Sequence, residues 1–446
     1  MIRHLACSLF CICLLSGVLG ANDFDTQKQQ NWHQWRGPEA TGVAPLGDPP
    51  TKWDQETNIK WKVAIPGAGS STPIVWEDQI FILTAVETDQ TPEAPPEEAE
   101  APIGGNPFRI QPPTKVHQFI VMCLDRKTGE VIWQHTAKEE VPHEGTHRDH
   151  GFASGSPTTD GKHLYVSFGS RGTYCYDLDG NPKWDRDFGK MTMYRWFGEA
   201  VSPVLDGDTV IVNLDHEGNS VLAALDAETG ETKWHLDREE QSSWVTPLVV
   251  ESEGRKQVVL NSNLKARGYD FETGEVLWEC GGQTRAIIPT PVATDKLVFC
   301  MSGYPGSALF AIPLGAEGDI SDSDGIAWTR DGDTPYCPSP LLYGDQLYFN
   351  KTNRGILTSV DAATGDPIIE TQRLPELKGV YASPVGAAGR VYFTGRRGTT
   401  LVLKHGPEFE VLSINKLEEP IDASPAIVGK ELFLRGNEHL YCIAED

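Results

Sequence analysis

The sequence lacks the short motifs by which most enzyme classes are recognised. Its 446 residues contain no Cys-x-x-Cys, no Gly-x-Ser-x-Gly and no glycine loop of the phosphate-binding or dinucleotide-binding type. No two cysteines are adjacent, and no Cys-x-x-Cys-His is present to attach a c-type haem. These absences exclude the paired-cysteine spacing of zinc sites, thiol redox pairs, the hydrolase nucleophile turn and the usual nucleotide sites.

Positive charge is also scarce. Lys and Arg number 38 against 63 Asp and Glu, which gives a net charge of −25. Because so acidic a chain is repelled by phosphates and by anionic lipid heads, we predict no nucleic-acid partner and no adhesion to such membranes. Glycine (44) and proline (31) are abundant instead, which favours many turns over long helices.

The N-terminus has the features of a secretory signal. Arg3 precedes an apolar run from Leu5 to Leu19, and the small residues Gly20 and Ala21 follow at the expected cleavage point. Cys11 and Cys13 follow Phe10 and Ile12 rather than a small residue, so a lipid anchor is not predicted, and no later stretch is apolar enough to span a bilayer. We predict a signal peptide over residues 1–21 and an exported, monomeric protein of the periplasm or the extracellular space.

A proline preceded by a small residue opens a β-rich segment eight times. The first gap, of 84 residues, contains an insertion, and the later gaps are 46, 44, 44, 49, 44 and 41 residues. About 44 residues suit four short strands with turns, which is one propeller blade. The repeat prolines are Pro73, Pro157, Pro203, Pro247, Pro291, Pro340, Pro384 and Pro425.

The repeats also share an Asp-x-x-Thr-Gly-x-x-x-Trp element near their ends. Full copies begin at Asp125, Asp226 and Asp270, and the copy at Asp361 has Ile369 in place of Trp. The last repeat stops before its outer strand, and residues 58–63 have the pattern of that missing strand. We therefore predict an all-β, eight-bladed propeller of four-stranded blades, closed by an N-terminal strand that completes the last blade.

With these repeats, the sequence resembles the pyrroloquinoline-quinone-repeat propellers, also called quinoprotein dehydrogenase-like propellers. The Asp-x-x-Thr-Gly-x-x-x-Trp element is their repeat hallmark, and the opening Trp35-Arg36-Gly-Pro is similar to an exported bacterial group without evident cofactor ligands. The resemblance covers residues 32–446 and implies the fold. It also includes the propeller lipoproteins of the outer-membrane β-barrel assembly machinery, from which this chain departs by having no lipid-anchor cysteine.

The domain prediction is a single propeller over residues 22–446. Residues 22–57 are a lead-in to the first repeat. An insertion over about residues 87–113 is rich in proline and acid, and between Glu87 and Glu100 it has six acidic residues and no basic one. We expect this insertion to be a disordered surface loop between strands of blade 1.

In a propeller, the loops that lead into the inner strands and the loops between the second and third strands share one face. On that face we expect a ligand site over the central channel, with arginines as fork donors to an anionic or polyhydroxylated ligand. The alternative is that these charges are solvated and offset by acids of the same face. The candidate ligand-binding residues are His150, Arg171, Arg195, Glu199, Trp244, Arg285, Arg354 and Arg396.

Two further patterns on this face have open interpretations. Residues 143–150 contain three histidines and two acids, which suggests a metal site, but their loop-like composition favours a hydrogen-bonded loop. Aromatic residues recur before the inner strands, as at Trp244 and Tyr381. They are expected either to stack on a sugar or quinone ring or to pack inside the channel.

Two classes of function remain. The favoured one is an exported, non-catalytic propeller that needs no cofactor and binds an envelope protein, a glycan or an anionic small molecule. The alternative, implied by the resemblance, is an alcohol or sugar dehydrogenase with pyrroloquinoline quinone and calcium. In that alternative Glu199, Asn213 and Asp333 are the metal ligands, and Asp333 is also the catalytic base.

Overall fold

The computed structural model describes residues 21–92 and 100–445. The predicted signal peptide therefore lies outside the described residues, except for Ala21, with which α1 (Ala21–Lys28) begins. None of the helices in the described part of the chain has the length and hydropathy of a membrane span.

Across these residues, eight sheets form the blades of a propeller, each with four antiparallel strands, and the sheet of blade 4 gains a fifth, parallel strand at its edge. The lead-in ends with β1 (Ile59–Ala64). Blades 1 and 2 contain β2 (Ile74–Trp76), β3 (Gln79–Glu87), β4 (His117–Asp125), β5 (Val131–Glu140), β6 (Thr158–Thr159), β7 (His163–Ser167), β8 (Thr173–Asp177) and β9 (Pro182–Arg186). Blades 3 and 4 contain β10 (Val204–Asp206), β11 (Thr209–Leu214), β12 (Ser220–Asp226), β13 (Thr232–Arg238), β14 (Leu248–Ser252), β15 (Arg255–Asn261), β16 (Lys265–Asp270) and β17 (Val276–Gly281).

The second half of the chain repeats the arrangement. Blade 5 contains β18 (Val292–Ala293), β19 (Leu297–Ser302) and β20 (Ala308–Pro313), then β21 (Gly318–Asp319), which pairs with β17 at the edge of blade 4, and β22 (Trp328–Arg330). Blades 6 to 8 contain β23 (Leu341–Tyr343), β24 (Gln346–Asn350), β25 (Ile356–Asp361), β26 (Pro367–Arg373), β27 (Val385–Ala387), β28 (Arg390–Thr394), β29 (Thr399–Lys404), β30 (Val411–Lys416), β31 (Ala426–Val428), β32 (Glu431–Arg435) and β33 (His439–Ile443). Short 3-10 turns lie at Gly169–Arg171 and Tyr194–Trp196.

The N-terminal strand closes the ring, as the sequence predicts. Strand β1 pairs antiparallel with β33, with Trp61 opposite Cys442 and Val63 opposite Leu440. Central strands such as β11 are buried on both faces because blades stack on each other, whereas β1 at the outer edge alternates between buried and exposed residues. Eight blades and the N-terminal closure are thus confirmed.

The Asp-x-x-Thr-Gly-x-x-x-Trp element connects neighbouring blades. In blade 1, the carboxylate of Asp125 accepts hydrogen bonds from the amides of residues 127 and 128. The indole of Trp133, later in the same element, donates to the carbonyl of Leu178 in blade 2 at 2.9 Å. A side chain at Gly180 would lie 2.8 Å from that indole, so only glycine permits the contact. Blade 4 differs, because the indole of Trp278 donates to a glutamine of its own blade.

Hydroxyl groups connect the inner ends of the blades. The residue before each repeat proline is Ser or Thr, and among the described residues the hydroxyl of six of these eight accepts a hydrogen bond from the equivalent amide of the preceding blade. We call the set of these residues the hydroxyl ring. Its amide-to-hydroxyl bonds among the described residues join Thr72 to Ser156 (2.9 Å), Ser156 to Ser202 (2.8 Å), Ser202 to Thr246 (3.2 Å), Thr290 to Ser339 (3.0 Å), Ser339 to Ser383 (2.9 Å) and Ser383 to Ser424 (2.9 Å).

The lead-in enters the channel and bonds to the free edges of the inner strands. Trp32 pairs with Val75 of β2, and the carbonyl of Thr41 accepts from the amide of Leu342 in β23. Buried Arg36 donates to the carbonyls of Pro384 at 2.8 Å and Pro340 at 2.6 Å. We call residues 32–42 the plug, because they cross the channel at the end opposite the predicted ligand face.

The insertion differs from the disordered loop that its composition predicts. Glu87 belongs to β3, and residues 93–99, with three of the six acidic residues, lie outside the described residues. The part that follows packs on the propeller. The carbonyl of Ile103 accepts from the amide of Arg195, and the ring of Phe108 lies 4.9 Å from that of His147. The sequence prediction missed this because apolar residues are sparse in so polar a segment.

We predict that Ser339→Ala lowers the free energy of unfolding by about 1–3 kcal/mol, because the buried amide of Thr290 loses its acceptor. Ser154→Ala is the matched control, since this channel serine makes only a marginal contact of 3.5 Å with Gly151 and should change stability by less than about 0.5 kcal/mol. Denaturant unfolding measures both. Equal effects of the two substitutions would contradict a role for the hydroxyl ring.

Candidate functional site

A cavity of about 680 Å³ lies over the channel on the predicted ligand face. We call it the cup. Trp35 of the plug closes it below, where the indole N–H points to the hydroxyl of Thr290 at 3.4 Å. Its wall comes from the loops that lead into blades 2 to 8, and the hydroxyl ring encircles its base. The volume is within the range of about 300–1,000 Å³ that is usual for small-molecule sites.

Aromatic rings form much of the wall. The indole N–H of Trp244 donates to the carbonyl of Gly198 at 2.5 Å, which fixes the ring beside Phe197 at a centroid distance of 6.3 Å. Tyr304 and Tyr336, whose ring centres are 4.9 Å apart, also line the cup. Because the polar edge of Trp244 already has a partner in the protein, its apolar face is what remains for a ligand.

The insertion covers part of the cup. Ile103, Gly104 and Phe108 all line the cavity. Arg195 fixes this cover, because its guanidinium Nε donates to the carbonyl of Gly104 at 3.0 Å. A side chain at Gly104 would lie 2.2 Å from the ring of Tyr194, so the close packing requires glycine. We call residues 102–110 the lid.

A cluster of charges from three blades lies in the wall. The guanidinium of Arg396 donates two hydrogen bonds to Asp422, at 2.7 and 3.0 Å, and lies 3.2 Å from the carboxylate of Asp149. The same guanidinium stacks 3.9 Å from the ring centre of Tyr381. We call Asp149, Arg396 and Asp422 the carboxylate cluster. Both carboxylates line the cup, so they present acceptors to a ligand while their charge is offset by Arg396.

The structure brings about half of the predicted ligand residues together. His150, Arg195, Trp244 and Arg285 line the cup. Arg396 contacts two residues that line it. That these side chains contact a ligand stays a prediction.

The other predicted residues lie elsewhere. Arg171 is buried and paired with Glu199 at 2.8 Å, below the face, where Glu199 lines a separate small cavity. Arg354 is exposed and lines neither cavity.

The basic face expected from the sequence is largely neutralised. Lys265 pairs with Glu279 at 2.6 Å, and Lys351 pairs with Asp333 at 2.7 Å. Arg171 and Arg396 are likewise paired with the carboxylates named above. Most of these pairs join different strands or blades. Acidic residues of the ligand face therefore offset the cations of the same face. This pairing removes the main argument for an anionic ligand.

The histidine-rich loop does not converge on one point. His143, Glu144 and His147 have the His-Glu-x-x-His spacing of zinc proteases, but residues 143–147 form no helix, which that signature needs. His143 bonds to the carbonyl of Met191, and His150 to that of Gly151. In the part of the chain that the structure describes, no group of three His, Cys, Asp or Glu side chains could hold a metal ion.

The residues proposed for calcium and quinone do not fit that role. The carboxylate of Glu199 is held by Arg171, and the side-chain oxygen of Asn213 accepts from Arg238 at 3.0 Å. The side-chain oxygens of both residues are thus already bonded to a guanidinium, which occupies the position that calcium would need. Asp333 belongs to a separate ion pair.

Asp333 is also poorly suited to act as a base. Burial acts to raise its pKa, but hydrogen bonds from Lys351 and Thr371 outweigh burial and hold the pKa below its ordinary value. A carboxylate with a lowered pKa is a weak proton acceptor.

The sequence prediction missed three parts of the site. In the sequence, Trp35 stands out only as part of a family motif, although it closes the cup. The composition around Ile103 and Phe108 predicts a disordered loop, although both residues line the cavity. The hydroxyl ring was present in the sequence as the small residue before each repeat proline, and its Ser or Thr identity in every copy is the signal that could have revealed it.

Solved structures with a similar fold come from proteins of different function. BamB from Moraxella catarrhalis is 15% identical, with a TM-score of 0.53 over 81% of this chain and 97% of its own. The quinohemoprotein alcohol dehydrogenase ADHIIG from Pseudomonas putida HK5 is 10% identical, with a TM-score of 0.59 over 96% of this chain and 82% of its own. The computationally designed protein Ika8 is 11% identical, with a TM-score of 0.50 over 74% and 93%. At these identities the similarity concerns the fold alone.

Sequence comparison gives a more specific result. The family described as outer membrane protein assembly factor BamB matches residues 117–371, which is more than half of the chain. No curated protein matches this chain in sequence.

We predict a pH-dependent contribution to stability from Glu144, which accepts a hydrogen bond from the amide of Met193 at 3.0 Å. Burial raises the pKa of Glu144 to about 7. Because this folded pKa lies above the unfolded one of about 4.3, the contribution is fully present below pH 4.3 and is lost as the pH rises through 7.

The melting temperature of the unsubstituted protein should therefore fall between about pH 5 and about pH 8. In Glu144→Gln, whose side chain stays neutral, that fall should be smaller. Glu130→Gln, at an exposed turn of the opposite face, is the control and should leave that fall unchanged. A Glu144→Gln profile parallel to that of the unsubstituted protein would show that the carboxyl does not titrate in this range.

Proposed function

Because the chain belongs to the family described as outer membrane protein assembly factor BamB, we propose that it is an exported, non-catalytic propeller that binds a ligand or partner in the cup. The family name supports a place in the cell envelope, and the N-terminal signal pattern supports export to the periplasm or beyond. The partner under this proposal is an envelope component, either a glycan or a protein segment that reaches into the cup.

The observation that carries the proposal is the closed base of the cup. The plug bonds to inner strands of blades 1, 6 and 7, and Trp35 fills the space beneath the cavity. A cavity that is open at one face and closed at the other admits a ligand and holds it, rather than letting it pass through the channel. The fixed indoles and hydroxyls around it are a preorganised binding surface.

Binding rather than catalysis is supported by the state of the polar groups. Of the three carboxylates that line the cavity, those of Asp149 and Asp422 share Arg396 and that of Glu217 accepts from the amide of Ser242, and burial lowers the pKa of His150. A general base needs an unpaired group whose pKa is near the working pH. The arrangement instead offers fixed hydrogen-bond partners, which orient a ligand without exchanging protons with it.

Calorimetric titration with a chemically mixed panel tests this function. The panel contains neutral and acidic oligosaccharides, short peptides, and pyrroloquinoline quinone with calcium. We expect saturable binding of at least one of the first three classes and none of the quinone. Gln241→Trp, at the exposed rim of the cup, should weaken that binding about tenfold or more, an effect of at least about 1.4 kcal/mol.

Gln134→Trp is the matched control, because it makes the same substitution on the exposed outer strand β5. It should leave affinity unchanged. The proposal is wrong if no class binds, if both substitutions act alike, or if the protein oxidises alcohols or sugars in a dye-linked assay with quinone and calcium.

A further inference from the structure

The carboxylate cluster has unused hydrogen-bonding capacity that faces the cup. The Oδ2 atom of Asp149 accepts from Arg396 and, at 3.4 Å, from the hydroxyl of Tyr381. Among the described residues, the ion pairs of its Oδ1 atom are limited to the exposed Arg148, at 4.0 Å. Each carboxylate oxygen can accept two hydrogen bonds, so Asp149 and Asp422 still have acceptor positions for donors on a ligand.

The base of the cup offers the complementary groups. In the described contacts, six of the ring hydroxyls accept from amides of the preceding blade, which leaves their protons free to donate to a ligand. The cup therefore presents acceptors on one wall and donors at its base. The hydroxyls in this position that line the cavity are those of Ser156, Ser202, Thr246, Ser339, Ser383 and Ser424.

The charges of the cup cancel. Three carboxylates line it, those of Asp149, Glu217 and Asp422. Three guanidinium groups offset them: Arg195 and Arg285 line the cup, and Arg396 pairs with two of the carboxylates. Burial lowers the pKa of His147 and of His150, which keeps both rings neutral at neutral pH. Neither an anion nor a cation is attracted by the site as a whole, and either would be brought close to like charges.

The apolar surfaces complete the pattern. Trp35 and Trp244 have their N–H groups bonded to the protein, so they present ring faces to the cavity. A ligand that suits the whole cup has an apolar ring face and many hydroxyl groups that both donate and accept, and it carries no net charge.

Resting on the proposed function, we infer that the cup binds a neutral sugar, with a hydroxyl-bearing edge on Asp149 and Asp422 and a ring face on the indoles of Trp35 and Trp244. The lid, through Ile103 and Phe108, covers part of the mouth and limits access from above. The site thus takes the end of a glycan.

The test compares sugars that differ only in charge. Hexose oligosaccharides of gluco, galacto and manno configuration are titrated against the purified protein, each beside its uronic-acid and its amino-sugar counterpart. We expect one neutral form to bind about tenfold or more tightly than both charged counterparts. Asp149→Asn, which keeps the shape of the side chain, should weaken the neutral sugar by about tenfold, because an acceptor becomes a donor.

Asp179→Asn, in an exposed turn of the opposite face, is the control and should not change sugar affinity. Melting temperatures of both variants verify that they fold. A uronic acid that binds more tightly than its neutral form, or an unchanged affinity in Asp149→Asn, overturns the inference. If no sugar binds, but another ligand class binds and Gln241→Trp weakens that binding, the inference of a sugar is overturned while the proposed function stands. If no ligand binds, both the inference and the proposed function are overturned.

Discussion

The hydrogen bond from a backbone amide to the hydroxyl before the next repeat proline is the interaction on which the rest of the structure depends. Inner strands of a propeller have a free edge toward the channel, and a proline at the start of each cannot donate from that edge. The hydroxyl of the neighbouring blade satisfies the buried amide before it, as Ser383 does for Ser339. Repeated at six of the eight blade junctions among the described residues, this bond fixes the distance between blades and thereby the width of the cup.

The same need for partners explains why the channel is closed. The carbonyls of Pro340 and Pro384, which follow two members of the hydroxyl ring, accept from the guanidinium of Arg36, and further edge groups bond to the backbone of the plug. Burial lowers the pKa of Arg36 to about 9, so the side chain still donates as a cation at neutral pH. Structural closure and the base of the binding site are therefore one feature.

The fold was predictable because its signals are local and repeated. Proline spacing gave the number of blades, and the unpaired last repeat predicted the pairing of β1 with β33. The site was less predictable because its contacts are long-range. Arg396 meets Asp149, almost 250 residues earlier in the sequence, and nothing near either residue indicates that pairing. For the same reason an apparent excess of arginines suggested an anion site, and the acidic composition of the insertion concealed the packing of Phe108.

A crystal structure of the protein soaked with the tightest-binding neutral oligosaccharide tests the central claim, that the cup is a binding site for a neutral sugar, most directly. The account predicts sugar density inside the cup, with a ring face against Trp244 or Trp35 and a hydroxyl within hydrogen-bonding distance of Asp149. Density on the opposite face, on the outer strands, or in the cup without a contact to the carboxylate cluster would contradict it.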